Sequence, residues 1–171
     1  VAEDRTLSFA SSIAIGRCVQ QIVAVGDALY AGCTDGIIRI IRDRQVHRCY
    51  QAHQSGINSL LHYDRWVISG GDDGAICWHE CESGMSSTIP AHNSTVSGLG
   101  VNAGVLVSGS VDQWISTWTT DQVARPLASH PCVLPDIGGL SCADGHSFLV
   151  GRGILKLPIK QHESPRKRHR H

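Results

Sequence analysis

Serine, histidine and aspartate recur together twice along the chain, as His53, Ser69 and Asp73 and then as His92, Ser108 and Asp112. These residue types can build a nucleophilic triad, in which histidine deprotonates a serine hydroxyl and aspartate orients the histidine. In both copies the histidine precedes its aspartate by the same interval, 53 to 73 and 92 to 112. The repetition argues against catalysis. An active site needs one triad, whereas a hydrogen-bonded network that holds a structural unit together is needed once per unit. No Gly-x-Ser-x-Gly elbow is present to present a serine nucleophile. The expectation is a buried network, stabilising because each member satisfies the next, with no catalytic group.

Other candidate chemistry is thin. The stretch GLGVNAG at 98–104 has the wrong glycine spacing for a dinucleotide loop and leads into the strand-like Val105-Leu106-Val107, so it reads as a hairpin turn. In SGGDDGAICW at 69–78, Gly70, Gly71 and Gly74 are read as the freedom for a tight turn, with Asp73 capping it and reaching toward His53. The histidines are scattered, and of the cysteines (18, 33, 49, 77, 81, 132 and 142) only Cys77 and Cys81 stand close, without a second pair at zinc spacing. Reduced thiols are expected, with no metal and no cofactor.

The bulk composition narrows the class. Fifteen Lys+Arg balance fifteen Asp+Glu among 171 residues, so the chain as a whole is not drawn to nucleic acid or an anionic membrane. Only 18% of residues are charged and glycine numbers 18, which favours short strands and tight turns over solvated helices. No apolar run approaches the roughly 18 residues of a membrane span. The reading is a soluble, cytoplasmic protein, and the first residue, Val1, reads as the start of a fragment. One charge block stands out at the end. Arg166, Lys167, Arg168 and Arg170 follow Pro165 without an apolar residue, a composition of a disordered tail that could touch RNA or an acidic partner.

The elements that must position the network repeat with it. Clusters AGCTDGII at 31–38, SGGDDGAI at 69–76 and SGSVDQWI at 108–115 align on Asp35, Asp73 and Asp112. Ala52-His53 and Ala91-His92 precede the second and third clusters. Each unit runs from an apolar stretch to a turn, a β-branched run ending in Ser-Gly, the Asp turn, and a further strand such as Ile115–Trp118. Short runs rich in Val, Ile and Trp, punctuated by Gly and Asp, are antiparallel strands. Four strands in about 40 residues is the arithmetic of a propeller blade.

At these residues the sequence resembles the WD-repeat family. The copies at 52–78 and 91–118 match well, 19–41 lacks the histidine, and the stretch from Ser129-His130 to Leu157 is degenerate, with Gly151-Arg152-Gly153 in place of the Asp turn. The resemblance implies an all-β fold of about three clear blades and a degenerate fourth, part of a larger propeller. The expected divisions are 1–18 as the end of a preceding blade, blades at 19–51, 52–90 and 91–128, a degenerate final blade at 129–160, and the basic tail at 161–171. It also implies the network His53–Ser69–Asp73 and His92–Ser108–Asp112, the latter closed by the indole of Trp118. Ala-His stands where the family has Gly-His, and no Trp-Asp pair occurs. Trp78 follows Asp73 by one residue fewer than Trp118 follows Asp112, which turns Trp78 to the other side of its strand.

A narrower resemblance rests on AHQSGINSL at 52–60, VLVSGSVDQ at 105–113 and, above all, CVLPDIGGLSC at 132–142 followed by Val150–Ile154. In this order they look like the end of the WD-repeat partner of a tRNA 2′-O-ribose methyltransferase, a family that regulates methylation of the anticodon wobble nucleotide. That implies a non-catalytic subunit whose partners are the methyltransferase, tRNA, and the remaining N-terminal blades of its own chain. A strand from earlier in the full protein is expected to complete the last blade, which stops at Ile154–Leu157 before Pro158. The alternative is a general WD-repeat scaffold, such as a substrate receptor in ubiquitin ligation.

Overall fold

A computed structural model describes residues 11–121 and 124–158. The described residues form fifteen strands and no helix. Four antiparallel sheets follow one another along the chain. The first contains β1 (Val19–Val25), β2 (Ala28–Cys33), β3 (Ile37–Arg42) and β4 (Gln45–Gln51). The second contains β5 (Ile57–Tyr63), β6 (Trp66–Gly71), β7 (Ala75–Glu80) and β8 (Ser86–Pro90). The third contains β9 (Val96–Asn102), β10 (Val105–Ser110), β11 (Trp114–Thr119) and β12 (Pro126–Pro131). The fourth has three strands, β13 (Gly139–Ala143), β14 (His146–Val150) and β15 (Ile154–Pro158). Each sheet is a simple meander in which neighbours in sequence pair. This is the all-β arrangement of propeller blades.

The blades stack through their inner strands, β1 on β5, β5 on β9 and β9 on β13. Each sheet is apolar on both faces, so the core is distributed between blades. Tyr30, Ile38 and Ile40 of the first blade meet Ile57, Leu60 and Val67 of the second. Trp66, Ile68 and Trp78 meet Val96, Leu106 and Trp118 of the third. Val107 and Ile115 meet Leu140, Leu149, Leu155 and Leu157 of the fourth. Among the described residues the two end faces of this arc are only partly covered, leaving Ile22 exposed on the first blade and Val150 and Ile154 exposed on the fourth.

Glycine permits the close stacking. A Cβ on Gly98 would lie 2.6 Å from Leu140 Cβ, and one on Gly100 would lie 2.6 Å from Cys142 Sγ. The hairpin at 102–105 turns through Ala103 (φ 49°) and Gly104 (φ 74°), the left-handed pair of a type I′ connection. The expectation for Gly70 and Gly71 needs correcting. Both lie within β6 rather than in the turn, and only Gly74 has positive φ, at 75°. Gly70 is bare because a Cβ would come within 2.5 Å of Val96 Cγ1, and Gly71 because one would reach 2.5 Å from His53 Nδ1.

Two boundaries differ from the sequence reading. β12 runs through Pro131, so Ser129 and His130 close the third blade instead of opening the fourth. Pairing of Ile115 with His130 extends the ladder past 128, because the third strand of this blade needs a partner along its whole length. In the stretch read as the end of a preceding blade, the described part, 11–18, holds no strand. Instead Ile13 and Ile15 pack on Ala31, Cys33 and Ile41 of the first blade.

Candidate functional site

The Asp turn sits between the second and third strands of a blade, where a β-hairpin must reverse tightly. In the second blade the Asp73 carboxylate accepts the Ala75 N–H at 3.1 Å, capping the turn, and the Gln54 N–H at 3.1 Å. It also accepts the Nδ1–H of His53 at 2.9 Å. That bond fixes the ring, leaving Nε2 free to accept the Ser69 hydroxyl at 2.8 Å. Burial works to raise the Asp73 carboxyl, but the Ala75 N–H, the His53 ring and the Gln54 N–H together hold it below the usual carboxylate range.

The third blade repeats the pattern and completes it. Asp112 accepts the Trp114 and Asn93 N–H groups, each at 2.9 Å, and lies 3.4 Å from His92 Nδ1. Ser108 donates to His92 Nε2 at 2.8 Å, and its oxygen accepts the Trp118 indole N–H at 2.9 Å. Donors and acceptors then alternate from indole to carboxylate without conflict, with His92 neutral. Burial pushes the His92 pKa down, against the pull of Asp112.

The structure thus brings His53, Ser69 and Asp73 together in one blade and His92, Ser108, Asp112 and Trp118 in the next. The distances are those of a Ser-His-Asp triad, yet Ser69 and Ser108 are both 0% exposed and His53 is 2% exposed. A nucleophile must touch its substrate. These serines are sealed between packed blades, so the arrangement anchors turns and does no chemistry. Among the described residues no cluster of side chains suited to a metal ion forms, and all seven cysteines are free. Arg166, Lys167, Arg168 and Arg170 lie outside the described residues.

Trp78 is where the second blade departs from the third. Ser69 pairs with Cys77 in the ladder as Ser108 pairs with Ser116, so the position matching Trp118 is His79, two residues beyond Cys77. His79 is buried, stacks on Tyr50 at 3.8 Å and bonds Ser86 Oγ at 2.8 Å. Burial and nearby Arg48 hold its pKa down. Trp78 occupies the opposite face, packed against the third blade, and its indole N–H finds no acceptor among the described residues.

The first and last blades lack the network for a readable reason. By the same offsets from Asp35, the histidine, serine and tryptophan positions of the first blade are Ile15, Ala31 and Ile41, which pack together as an apolar patch. Asp35, left without a histidine, is held by Arg39 through bonds of 3.0 and 2.7 Å. That guanidinium carries the Asp35 pKa down to about 2. In the fourth blade Leu149 and Leu157 fill the serine and tryptophan ladder positions. Counting offsets from each Asp would have found Ile15, Ala31, Ile41 and His79 in the sequence.

Comparison with solved structures places the architecture. The chain superposes on the computationally designed Ika4 protein with a TM-score of 0.78 and 21% identity over 87% of this chain and 96% of that one. It superposes on the WD40 β-propeller domain of Doa1 with a TM-score of 0.74 and 18% identity, and on the RRP9 WD40 repeats with 0.72 and 16%. These two alignments cover 85% and 79% of this chain but 51% and 45% of those chains, so it spans about half of each. No protein-family model and no curated protein sequence matches the chain. Meander sheets in sequence, Asp-capped turns and inter-blade cores therefore give this chain the fold of WD40 β-propeller domains.

Proposed function

We propose that the chain is a non-catalytic WD-repeat scaffold that holds a tRNA 2′-O-ribose methyltransferase and positions tRNA for methylation of the wobble nucleotide. The observation that carries this reading is the closing segment, CVLPDIGGLSC at 132–142 with Val150–Ile154, standing in order after the repeats. The buried state of Ser69 and Ser108 supports a scaffold role, since the two Ser-His-Asp sets that resemble catalytic machinery are committed to the fold. A scaffold can matter greatly to such a reaction, because orienting a large substrate removes entropy from the barrier. In this reading the enzyme supplies the methyl-donor site, further blades of a longer chain cover the exposed parts of the end faces, and the complex works in the cytoplasm.

The test is affinity capture of the tagged chain from cells, followed by methyl-transfer assays with and without it. Recovery of a ribose methyltransferase together with tRNA, and wobble methylation that rises on adding the chain, is the expected result. Recovery of ubiquitin-ligase subunits in place of the methyltransferase would overturn the reading.

A further inference from the structure

Among the described arginines, those without a carboxylate partner gather on one hairpin, and the one described lysine, Lys156, stands apart over the Phe148 ring. Arg39 and Arg17 share Asp35, Arg65 meets Glu80, Arg125 meets Asp121 and Arg152 meets Asp136. Arg44 and Arg48 have no carboxylate partner among the described residues, and Arg42 has only a loose contact with exposed Asp27 at 3.6 Å. All three belong to the β3–β4 hairpin, RDRQVHR at 42–48.

The backbone holds these cations in a fixed array. Asp43 (φ 48°) and Arg44 (φ 63°) form a left-handed pair at the tip, so the ribbon turns tightly and keeps its twist. Ile40 pairs with Arg48 and Ile41 with Val46, which leaves His47 as the extra residue of a β-bulge. Bulges re-aim side chains. Here the bulge lines a cleft of about 420 Å³ between the first and second blades, where Arg42, His47 and Arg48 face Tyr30, Cys81 and the single acid Glu82. Both guanidiniums lie close enough to the buried Tyr30 hydroxyl to oppose the rise of its pKa, which burial and Cys81 carry to about 12. The equivalent cleft between the third and fourth blades is apolar, with Leu127 at the bulge and Leu155 and Leu157 opposite. The basic character thus belongs to this cleft's own residues and is not imposed by the fold.

We infer that the β3–β4 hairpin and its cleft form a binding surface for the phosphate backbone of RNA. A phosphate seated in the cleft meets Arg42, His47 and Arg48, while Arg44 at the tip reaches a neighbouring phosphate. Cations spread along a ribbon match repeated phosphates, whereas a phosphorylated peptide would use the cleft and leave Arg44 idle. The inference rests on the proposed function for the choice of RNA as partner.

The experiment measures binding of a fluorescein-labelled tRNA transcript to the full chain by anisotropy, over a range of salt. Every variant keeps the basic tail, so the tail's contribution cancels. Arg44→Glu/Arg48→Glu should weaken binding by about tenfold or more and reduce the slope of log K against log salt by about 1.4, two phosphates' worth. Arg44→Lys/Arg48→Lys should stay within about threefold of the parent, which separates charge from folding. Unchanged affinity and slope in the Glu variant would overturn the inference, as would a parent chain that binds phosphopeptide but no tRNA. RNA binding through the hairpin without methyltransferase capture leaves this inference standing and sinks the proposed function. Methyltransferase capture with an unaffected Glu variant does the reverse.

Discussion

Ser108→Ala should destabilise the chain about twice as much as Ser69→Ala, although both serines are fully buried and both bond a histidine. The difference lies in what each hydroxyl serves. Ser108 accepts the Trp118 indole N–H and donates to His92 Nε2, so its removal orphans two buried groups. Ser69 bonds His53 alone among the ring partners, because His79 stands where a tryptophan would donate and instead bonds Ser86. Leaving one buried polar group unsatisfied costs about 1–3 kcal/mol. The expected losses are therefore about 2–6 kcal/mol for Ser108→Ala and about 1–3 kcal/mol for Ser69→Ala. Alanine fits either site without strain, so cavity terms do not blur the comparison. Urea unfolding followed by tryptophan fluorescence reads both values. Trp118→Phe should remove most of the excess, since the double variant with Ser108→Ala no longer orphans an indole N–H. Equal losses for the two serines, or a Ser108→Ala loss under about 0.5 kcal/mol, would refute the network reasoning.

Acid should weaken the fold early. His79 and His92 have folded pKa values below that of an unfolded histidine. The unfolded chain therefore takes up protons first, and stability falls as pH drops below about 6.5, by up to about 1.4 kcal/mol per pH unit for each histidine. A urea midpoint that does not move between pH 7.5 and 5.5 would contradict this. Gly98→Ala should cost about 1–3 kcal/mol, because its Cβ would meet Leu140 Cβ at 2.6 Å and the Leu140 backbone nitrogen at 2.7 Å. Gly138→Ala, whose nearest neighbour would be 3.9 Å away, should stay within about 0.5 kcal/mol of the parent. Thermal unfolding distinguishes the two, and similar effects would mean that the blades can part to admit a methyl group.

The blade repeat was legible because it follows from one-dimensional facts. Asp35, Asp73 and Asp112 recur at nearly constant spacing, and a tight turn needs the same residue each time. The partners of Asp73 and Asp112 were legible for the same reason, since the chain returns to its own turn after a fixed number of strands. Trp78 could be read as facing away from the network, because side chains alternate along a strand. That His79 takes its place could not be taken from its residue type, because the stacking of His79 on Tyr50 joins two blades. Gly70 and Gly71 looked like turn residues, and only the approach of Val96 and His53 shows them to be packing residues. The end of β12 at Pro131 was missed because pairing with β11, and not local composition, decides how far that strand extends.

The sequence by itself determined an all-β chain of repeated Asp-capped meanders, because turn chemistry and strand alternation act between near neighbours. Tertiary structure alone decided which glycines admit the next blade, how completely Ser69 and Ser108 are sealed between blades, and that the hairpin bearing Arg42, His47 and Arg48 faces Cys81 and Glu82 across a cleft. Those facts depend on surfaces brought together from different blades, and no spacing within a single repeat encodes them.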